Sequence, residues 1–266
     1  MTIIKTPRGL DWKYEITGQG ETLLFLHGFG VSQRIWVDQV KYFSSHYEVL
    51  TIDLPGHGQS GWMDVELIDM ANDINFILNK LELHQVNIIA SSFGGLIAFK
   101  LFKACPEKIQ RVAFVGALPK FTRVDNYPAG LDIPKIQKLS EQLEGDYKSI
   151  LDIFLRSLYS PEERASSRFQ WIKEFQKTDA VPKREALLKF LDILEKEDLR
   201  DILSRIQYRV RFINGSEDYI CPPEIIDWLE EAVPYARFDT IQNAGHFPFL
   251  TKPEEFNEIL VGFLTA

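Results

Sequence analysis

Cysteine is scarce in this chain of 266 residues, because only Cys105 and Cys221 occur. Two cysteines cannot form a disulfide framework for a chain of this length, and they lack the spacing of a metal site. We therefore expect free thiols, which are typical of a reducing compartment. The N-terminal stretch has no long apolar segment, so no secretory signal is expected and the predicted location is the cytoplasm.

Long apolar runs and an excess of positive charge are also missing. No run approaches the roughly 20 residues that a membrane-spanning helix needs, so we expect no membrane association. The chain has 30 Lys and Arg against 38 Asp and Glu, which gives a net charge of −8. This charge argues against a nucleic-acid-binding protein with a basic surface. The excess of acidic residues is unevenly distributed, since residues 119–200 hold equal numbers of basic and acidic side chains.

We also expect no motif for a common cofactor. Neither the phosphate-binding pattern G-x-x-x-x-G-K-[ST] nor the dinucleotide pattern G-x-G-x-x-G is expected after a predicted strand. The sequence has no His-Glu-x-x-His motif or other cluster with metal-ligand spacing. We therefore predict neither a nucleotide cofactor nor a metal ion.

The apolar segments that do occur are short and nearly continuous, as expected for strands buried on both faces of a parallel sheet. Helical spacings separate them, as in Leu67–Leu81. This alternation predicts an α/β fold, with a mostly parallel central sheet flanked by helices. The four continuous runs are residues 23–26, 49–54, 86–90 and 112–117, and two more alternating runs, 208–213 and 236–241, are predicted as edge strands.

The alternation stops in the middle of the chain, where residues 119–200 show only helical spacing. We therefore divide the chain into a first core part (1–118), a helical cap (119–200) and a second core part (201–266). An insertion near the C-terminal ends of the strands can cover a pocket. Additional scaffold is the alternative interpretation.

A serine follows the third continuous run and opens a helical stretch, in Ala90-Ser-Ser-Phe-Gly94. In the strand-turn-helix elbow G-x-S-x-G, small residues on both sides of the nucleophile let strand and helix approach closely. Placing the nucleophile at Ser92 puts Ala90 and Gly94 at the small positions. Placing it at Ser91 would put two large residues there. Ser92 is therefore the predicted nucleophile, with an ordinary helix N-cap as the alternative.

A serine hydroxyl needs a base to become nucleophilic, and the base needs a group that orients it. Among the five histidines, His246 lies in a loop after the last predicted strand, which can bring it to the same sheet edge as Ser92. The loop after residues 208–213 offers two acids, Glu217 and Asp218. The order Ser, acid, His is the chain order of catalytic triads on this type of fold.

Attack on a carbonyl carbon also creates an oxyanion that preorganised N–H groups must stabilise. The segment His27-Gly-Phe-Gly30 follows the first continuous run, so the Phe29 N–H can point into the site. The Phe93 N–H follows the nucleophile directly. An ordinary tight turn is the alternative for the glycine-rich segment.

Taken together, these residues resemble the α/β-hydrolase superfamily over essentially the whole chain. Within it, the sequence looks most like the pimeloyl-acyl-carrier-protein methyl ester carboxylesterases of biotin synthesis. The general resemblance is carried by residues 27–30, Asp53-Leu-Pro-Gly-His-Gly-Gln-Ser60, the Ser92 elbow, Asp218 and His246. The narrower one is carried by residues 118–128, 198–201, 246–250 and 253–256.

The resemblance implies an α/β-hydrolase fold with a helical cap and a triad of Ser92, Asp218 and His246, so that Asp218 is preferred to Glu217. It also implies that the N–H groups of Phe29 and Phe93 form the oxyanion hole and that no cofactor is needed. The implied activity is that of a serine carboxylesterase. The implied substrate is a pimeloyl methyl ester on acyl carrier protein.

The same resemblance places Phe154 beside the acyl chain, and proximity in sequence adds Phe121 and Leu158 as apolar lining. Arg164 and Arg168 match two basic cap residues that in the family face the acidic carrier protein. Acyl carrier protein is thus an expected partner. A solvated helix face is the alternative for these two arginines.

Several rivals of the same fold are less consistent with the sequence. Haloalkane dehalogenases and epoxide hydrolases have an aspartate at the elbow, where this chain has Ser92. The related lyases of menaquinone synthesis have an arginine where this chain has Leu96. A general short-chain carboxylesterase or a carbon–carbon bond hydrolase remains an alternative, and so does a ligand receptor built on a hydrolase fold.

Overall fold

The computed structural model describes residues 2–125, 127, 129–206 and 209–265. Its strands are β1 (Thr2–Lys5), β2 (Asp11–Thr17), β3 (Thr22–Leu26), β4 (Glu48–Ile52), β5 (Val86–Ser91), β6 (Ile109–Val115), β7 (Arg209–Gly215) and β8 (Arg237–Ile241). Its helices are α1 (Val37–Phe43), α2 (Leu67–Lys80), α3 (Phe93–Ala104), α4 (Ile133–Leu143), α5 (Tyr147–Ser157), α6 (Pro161–Ala165), α7 (Ser167–Lys177), α8 (Arg184–Lys196), α9 (Arg200–Leu203), α10 (Ile225–Ala232), α11 (Pro248–Thr251) and α12 (Pro253–Leu264), with 3-10 turns at Gln33–Trp36 and Pro106–Lys108.

Within the described ranges the strands form one sheet in the order β1-β2-β4-β3-β5-β6-β7-β8. The six strands β3 to β8 are parallel to one another, whereas β2 pairs antiparallel with both β1 and β4. The predicted α/β fold with a mostly parallel sheet is therefore confirmed. The central strands β3 and β5 are buried along their whole length, which explains their continuous apolar sequences.

Two features of the sheet differ from the sequence prediction. The antiparallel strands β1 and β2 were not predicted, because β1 is largely exposed, β2 is exposed over its last three residues, and neither has a continuous apolar run. The prediction that residues 208–213 form an edge strand is wrong, since β7 lies between β6 and β8. Its alternating pattern comes from the exposed Arg209 and the half-buried Arg211 at the start of the strand. Of these residues, Tyr208 lies outside the described part, as do Asn126 and Pro128 of the segment 118–128.

The helices α4 to α9 all lie between β6 and β7, in the region where the sequence shows only helical spacing. The start of α6 has a capping box, in which the side chains of Ser160 and Glu163 accept each other's backbone N–H groups. Side chains from α4, α5 and α8 cover the C-terminal ends of the parallel strands, where they line a cavity together with Ser92. No helix in the described residues is long and apolar enough to cross a membrane.

Candidate active site

Ser92 occupies a sharp turn between β5 and α3. Its backbone φ is +52° and its ψ is −118°, a combination that is uncommon and strained for a residue with a side chain. The Ser92 N–H donates to the carbonyl of Val115 at 3.0 Å. A Cβ at Gly94 would lie 2.7 Å from the carbonyl oxygen of His27. The small residue predicted at position 94 is thus required for the close approach of helix and strand.

His246 and Asp218 form a buried hydrogen-bonded pair. The Nδ1 of His246 lies 2.8 Å from the Oδ2 of Asp218. The other carboxylate oxygen accepts the N–H groups of Ile220 at 2.9 Å and Cys221 at 3.0 Å. Because a carboxylate can only accept, the hydrogen is on Nδ1 and Nε2 is left as the acceptor. The other candidate acid, Glu217, is exposed to solvent.

A glycine directly after β6 leaves the space that the hydrogen-bonded pair of His246 and Asp218 occupies. Gly116 has a φ of +52°, and a Cβ there would lie 3.0 Å from Nδ1 of His246 and 3.2 Å from Oδ2 of Asp218. Any larger residue would press on the hydrogen bond itself. Sequence reasoning missed Gly116, because nothing in its local pattern connects it with residues 100 positions away.

The loop that carries His246 is held by the helical segment above it, which consists of the helices α4 to α9. The buried side chain of Glu163 accepts the Gly245 N–H at 3.0 Å and the Ser160 N–H at 2.6 Å, both through Oε2. The His246 N–H donates to the carbonyl of Leu158 at 2.9 Å. Glu163 therefore joins the start of α6 to the residue before the histidine. Sequence reasoning did not reveal this link.

The ligand atoms of Asp218, Cys221 and His246 lie within 4.8 Å of one another. Both oxygens of Asp218 are already engaged, however, and burial raises the pKa of the Cys221 thiol, with the charge of Asp218 adding to the effect. A thiol must lose its proton to bind a metal. The cluster therefore fits a hydrogen-bonded acid and histidine better than a metal site.

The glycine-rich loop that carries Phe29 lies against the serine. A Cβ at Gly28 would be 3.0 Å from the Cβ of Ser92. The His27 ring fixes this loop, with Nδ1 at 2.8 Å from the Gly28 carbonyl and Nε2 accepting the Leu54 N–H at 2.9 Å. These contacts hold the backbone next to Phe29, whose ring lines the same cavity as Ser92.

A second buried histidine, His57, holds the far side of the loop. Its Nε2 accepts the Gly30 N–H at 3.2 Å, and its Nδ1 donates to the Pro55 carbonyl at 3.0 Å. Burial lowers the pKa of His57 to about 4. Burial, together with the nearby His57, lowers the pKa of His27 to about 3. Both rings are therefore neutral near pH 7, as their role as N–H acceptors requires.

The segment from Asp53 to Ser60 folds around the Asp53 carboxylate. This carboxylate accepts the N–H groups of Gln33 at 2.8 Å and Gln59 at 2.9 Å, and burial raises its pKa to about 6. The expectation that no dinucleotide pattern follows a strand is wrong as far as the letters go, since residues 56–61 match G-x-G-x-x-G shortly after β4. A Cβ at Gly58 would lie 2.2 Å from Asp53, and the next helix begins only at residue 67. The loop is thus filled by the protein's own carboxylate and is not a phosphate cradle.

Ser92 and His246 line one cavity of about 190 Å³ under the helical segment. The predicted lining residues Phe121, Phe154 and Leu158 lie in its wall. The remaining wall consists of Phe29, Leu131, Lys135, Ile136, Leu139, Leu191, Leu194, Tyr219, Ile220 and Phe247. Eleven of these fifteen residues are aliphatic or phenylalanine, so the cavity suits an apolar chain.

Tyr219 joins the acid loop to α5 at the edge of this cavity. The Ser157 hydroxyl donates to the Phe154 carbonyl at 2.6 Å, so the Tyr219 hydroxyl is the donor in its 2.8 Å bond to Ser157. The loop of Asp218 and the helix of Phe154 are therefore linked. Sequence reasoning missed this link, and it also missed Lys135 as a cavity-lining residue. Both depend on which helices lie over the ends of the strands.

The two arginines predicted to face a partner differ in their surroundings. Arg164 is exposed. Arg168 is ion-paired with Asp38 and donates to the Leu250 carbonyl at 2.7 Å. The two residues lie in different helices, because Ser166 ends α6 and caps α7.

Comparisons with known proteins agree with this architecture. The family model described as "alpha/beta hydrolase fold" matches residues 21–253. A pimeloyl-[acyl-carrier protein] methyl ester esterase of Nitrosomonas europaea is 30% identical over 242 residues, which cover 91% of this chain and 95% of that protein. The enzyme of the same name from Aeromonas hydrophila is also 30% identical, over 93% of this chain and 96% of its own.

Solved structures show the same similarity. An esterase from Exiguobacterium antarcticum superposes with a TM-score of 0.90 at 26% identity, over 100% of this chain and 99% of its own. A bromoperoxidase from Bacillus anthracis has a TM-score of 0.87 at 26% identity, over 97% and 96% of the two chains. The resemblance predicted from the sequence is confirmed, and the chain belongs to the α/β-hydrolase family.

Proposed function

We propose that this protein is a serine carboxylesterase that hydrolyses the methyl ester of a pimeloyl chain on acyl carrier protein, as part of biotin synthesis. The observation that carries the proposal is the buried bond between His246 and Asp218 beside an apolar cavity that Ser92 also lines. The similarity to pimeloyl-[acyl-carrier protein] methyl ester esterases over more than nine-tenths of the chain supports the choice of substrate.

In the proposed reaction, the Ser92 hydroxyl attacks the ester carbonyl while Nε2 of His246 takes its proton. Asp218 keeps the imidazole in the correct tautomer and stabilises the imidazolium without accepting the proton. The N–H groups of Phe29 and Phe93 receive the oxyanion. The Phe93 N–H is the first of α3 and thus has no acceptor within that helix.

Collapse of the tetrahedral intermediate breaks the bond to the methoxy group, which leaves as methanol with the proton from His246. A water molecule then attacks the acyl-serine, again with His246 as the base. The product is the free carboxylate, and Ser92 regains its proton. The proposed cycle uses no cofactor.

The cavity supports a slender acyl chain. Its volume of about 190 Å³ lies below the roughly 300–1,000 Å³ of typical ligand pockets. Phe154 contacts Phe29 edge-on, with ring centroids 5.6 Å apart, so the proposed acyl-chain residue touches the proposed oxyanion loop. A general short-chain carboxylesterase would use the same cavity and is the second candidate, favoured by the likeness to the Exiguobacterium esterase.

We place the proposed carrier-protein contact on the helical segment. Arg164, Lys148 and Arg156 are exposed and form no ion pair with any described residue. They lie in a segment without net charge on a protein of −8, so they offer an acidic carrier a locally favourable surface. Arg168 is less suited, because Asp38 already neutralises it.

The proposed compartment is the cytoplasm. Cys105 and Cys221 are both free and buried, which agrees with reducing conditions.

The decisive experiment compares turnover of the pimeloyl-carrier methyl ester with turnover of short p-nitrophenyl esters. We expect kcat/KM to be at least tenfold higher for the carrier-linked ester. Arg164→Glu should lower only the carrier-linked value, and more strongly at low salt. Equal values for both substrates would favour the general esterase. Ligand-dependent stabilisation with negligible hydrolysis of either would favour a receptor.

A further inference from the structure

Three arginines line one cavity where β7 and β8 begin, at the end of the sheet opposite Ser92. In the parallel register Arg211 lies directly opposite Arg237. Arg209 precedes Arg211 by two residues on the same strand and therefore points to the same face. Like charges on directly opposed strand positions destabilise a sheet. Such a cluster in an acidic protein calls for a compensating negative charge.

The protein supplies that charge only in part. Arg211 forms a two-pronged ion pair with Asp239, in which the second prong, Nη2 to Oδ1, measures 2.7 Å. Arg209 and Arg237 are exposed, and neither has a hydrogen bond or ion pair with any residue that the structure describes. Two guanidinium groups therefore remain uncompensated beside one that is paired.

The arginines surround a concave space and are not spread over a flat surface. Together with Tyr235 and the α12 residues Gly262 and Phe263, they line a cavity of about 310 Å³. A Cβ at Gly262 would meet no atom within 4 Å, so the α12 side of the cavity is open. The cavity can thus admit a compact polar group between the strand ends and the last helix.

We infer that this cavity binds the phosphoryl group of a small phosphorylated metabolite. The planar guanidinium fork forms paired hydrogen bonds with phosphate oxygens and keeps its charge at every physiological pH. A bound dianion would neutralise Arg209 and Arg237 together and remove their repulsion. The concave shape favours a soluble phosphate over a lipid headgroup, which a flat basic surface would serve.

This site is independent of the proposed esterase site. Asp218 follows the opposite end of β7, and a strand of seven residues spans about 20 Å. The phosphoryl group would therefore contact neither Ser92 nor His246. Loss of phosphate binding and loss of esterase activity are separable outcomes.

Pyrophosphate is the probe for the first test, by isothermal titration calorimetry on the full chain at low salt. We expect saturable binding at one site, weakened at least tenfold by Arg237→Gln, which leaves the pair of Arg211 and Asp239 intact. Arg164→Gln is the matched control, since it removes an exposed, unpaired arginine elsewhere. Absence of saturable binding, or equal weakening by both substitutions, would overturn the inference.

Two further measurements distinguish the source of the phosphate and a purely structural role. The first is co-sedimentation with phosphatidylglycerol vesicles. If the protein binds the vesicles but not pyrophosphate, and Arg237→Gln abolishes the vesicle binding, the assignment to a soluble metabolite is overturned. Without the probe, Arg237→Gln should keep or raise the Tm, because it removes a repulsive charge, and ester hydrolysis should not change. A lowered Tm would show that Arg237 stabilises the sheet and would contradict the inference.

Discussion

Phe93 and Phe190 stack face to face, with their ring centroids 3.9 Å apart and their planes 6° from parallel. Phe93 follows the proposed nucleophile, and Phe190 belongs to α8 in the helical segment. Phe190 also stacks on His57, at 4.7 Å, and His57 holds the loop of Phe29 through Gly30. One side chain of the helical segment therefore braces both proposed oxyanion donors.

We expect Phe190→Ala to lower both stability and turnover. Removing a buried phenylalanine costs about 3–5 kcal/mol of unfolding free energy, and the loss of bracing should lower kcat more than it raises KM. Urea unfolding and steady-state kinetics measure the two effects. Phe212→Ala, which removes a buried ring of the core sheet, should cost similar stability with kcat nearly unchanged below the Tm. Equal kcat losses in both variants would argue against the bracing role.

Ser92→Ala should lower hydrolysis of a p-nitrophenyl ester by about 10⁴-fold or more, because the nucleophile is removed. Far-ultraviolet circular dichroism should show an intact fold. Ser91→Ala is the matched control, since the neighbouring hydroxyl is buried without a hydrogen-bond partner among the described residues. Activity near wild type in Ser92→Ala, or an equal loss in Ser91→Ala, would show that the nucleophile is misassigned.

Glu163→Gln tests whether the carboxylate positions the histidine loop. A hydrogen bond to a charged group contributes about 1.5–3 kcal/mol, and its weakening should let Gly245 and His246 shift. We expect kcat to fall about tenfold with KM little changed, and the acidic limb of the pH profile of kcat/KM to move. Glu162→Gln, an exposed neighbour, should behave as wild type. A loss of stability with an unaltered pH profile would leave Glu163 only a capping role.

Acid should destabilise the fold through its buried histidines. Between pH 6 and pH 4, unfolded His27 and His57 take up protons that the folded rings, with pKa values of about 3 and 4, do not. Asp53 has the opposite effect on stability as pH falls, because its pKa of about 6 in the folded protein lies above the unfolded value of 3.8. Two groups outweigh one, so these three together lower stability by about 1.4 kcal/mol per pH unit as pH falls.

Asp53→Asn removes the opposing group and should roughly double this slope over the same range. Urea midpoints at pH 7, 6, 5 and 4 provide the measurement. A variant whose stability falls less steeply than that of the wild type would contradict the assigned direction for Asp53.

Much of the core could be predicted from the sequence, because burial on both faces of a parallel strand leaves an unmistakable apolar run. The Ser92 elbow was predictable for a similar reason, since only small residues fit beside it. Strands β1 and β2 were not, because exposed antiparallel strands carry a weaker pattern. The roles of Gly116, Phe190 and Glu163 were hidden, since each depends on contact with residues that are distant along the chain.

The two hydrogen bonds that Glu163 accepts have a consequence for how substrate and product enter and leave the cavity. One carboxylate oxygen closes the first turn of α6 and also holds Gly245, next to His246, the proposed base. The helix α6 cannot move away from the cavity without disturbing His246. An opening by movement of α6 would therefore abolish the proposed catalysis. Substrate and product should instead pass beside α4, whose Ile136 and Leu139 line the same cavity and whose displacement would leave both hydrogen bonds of Glu163 intact.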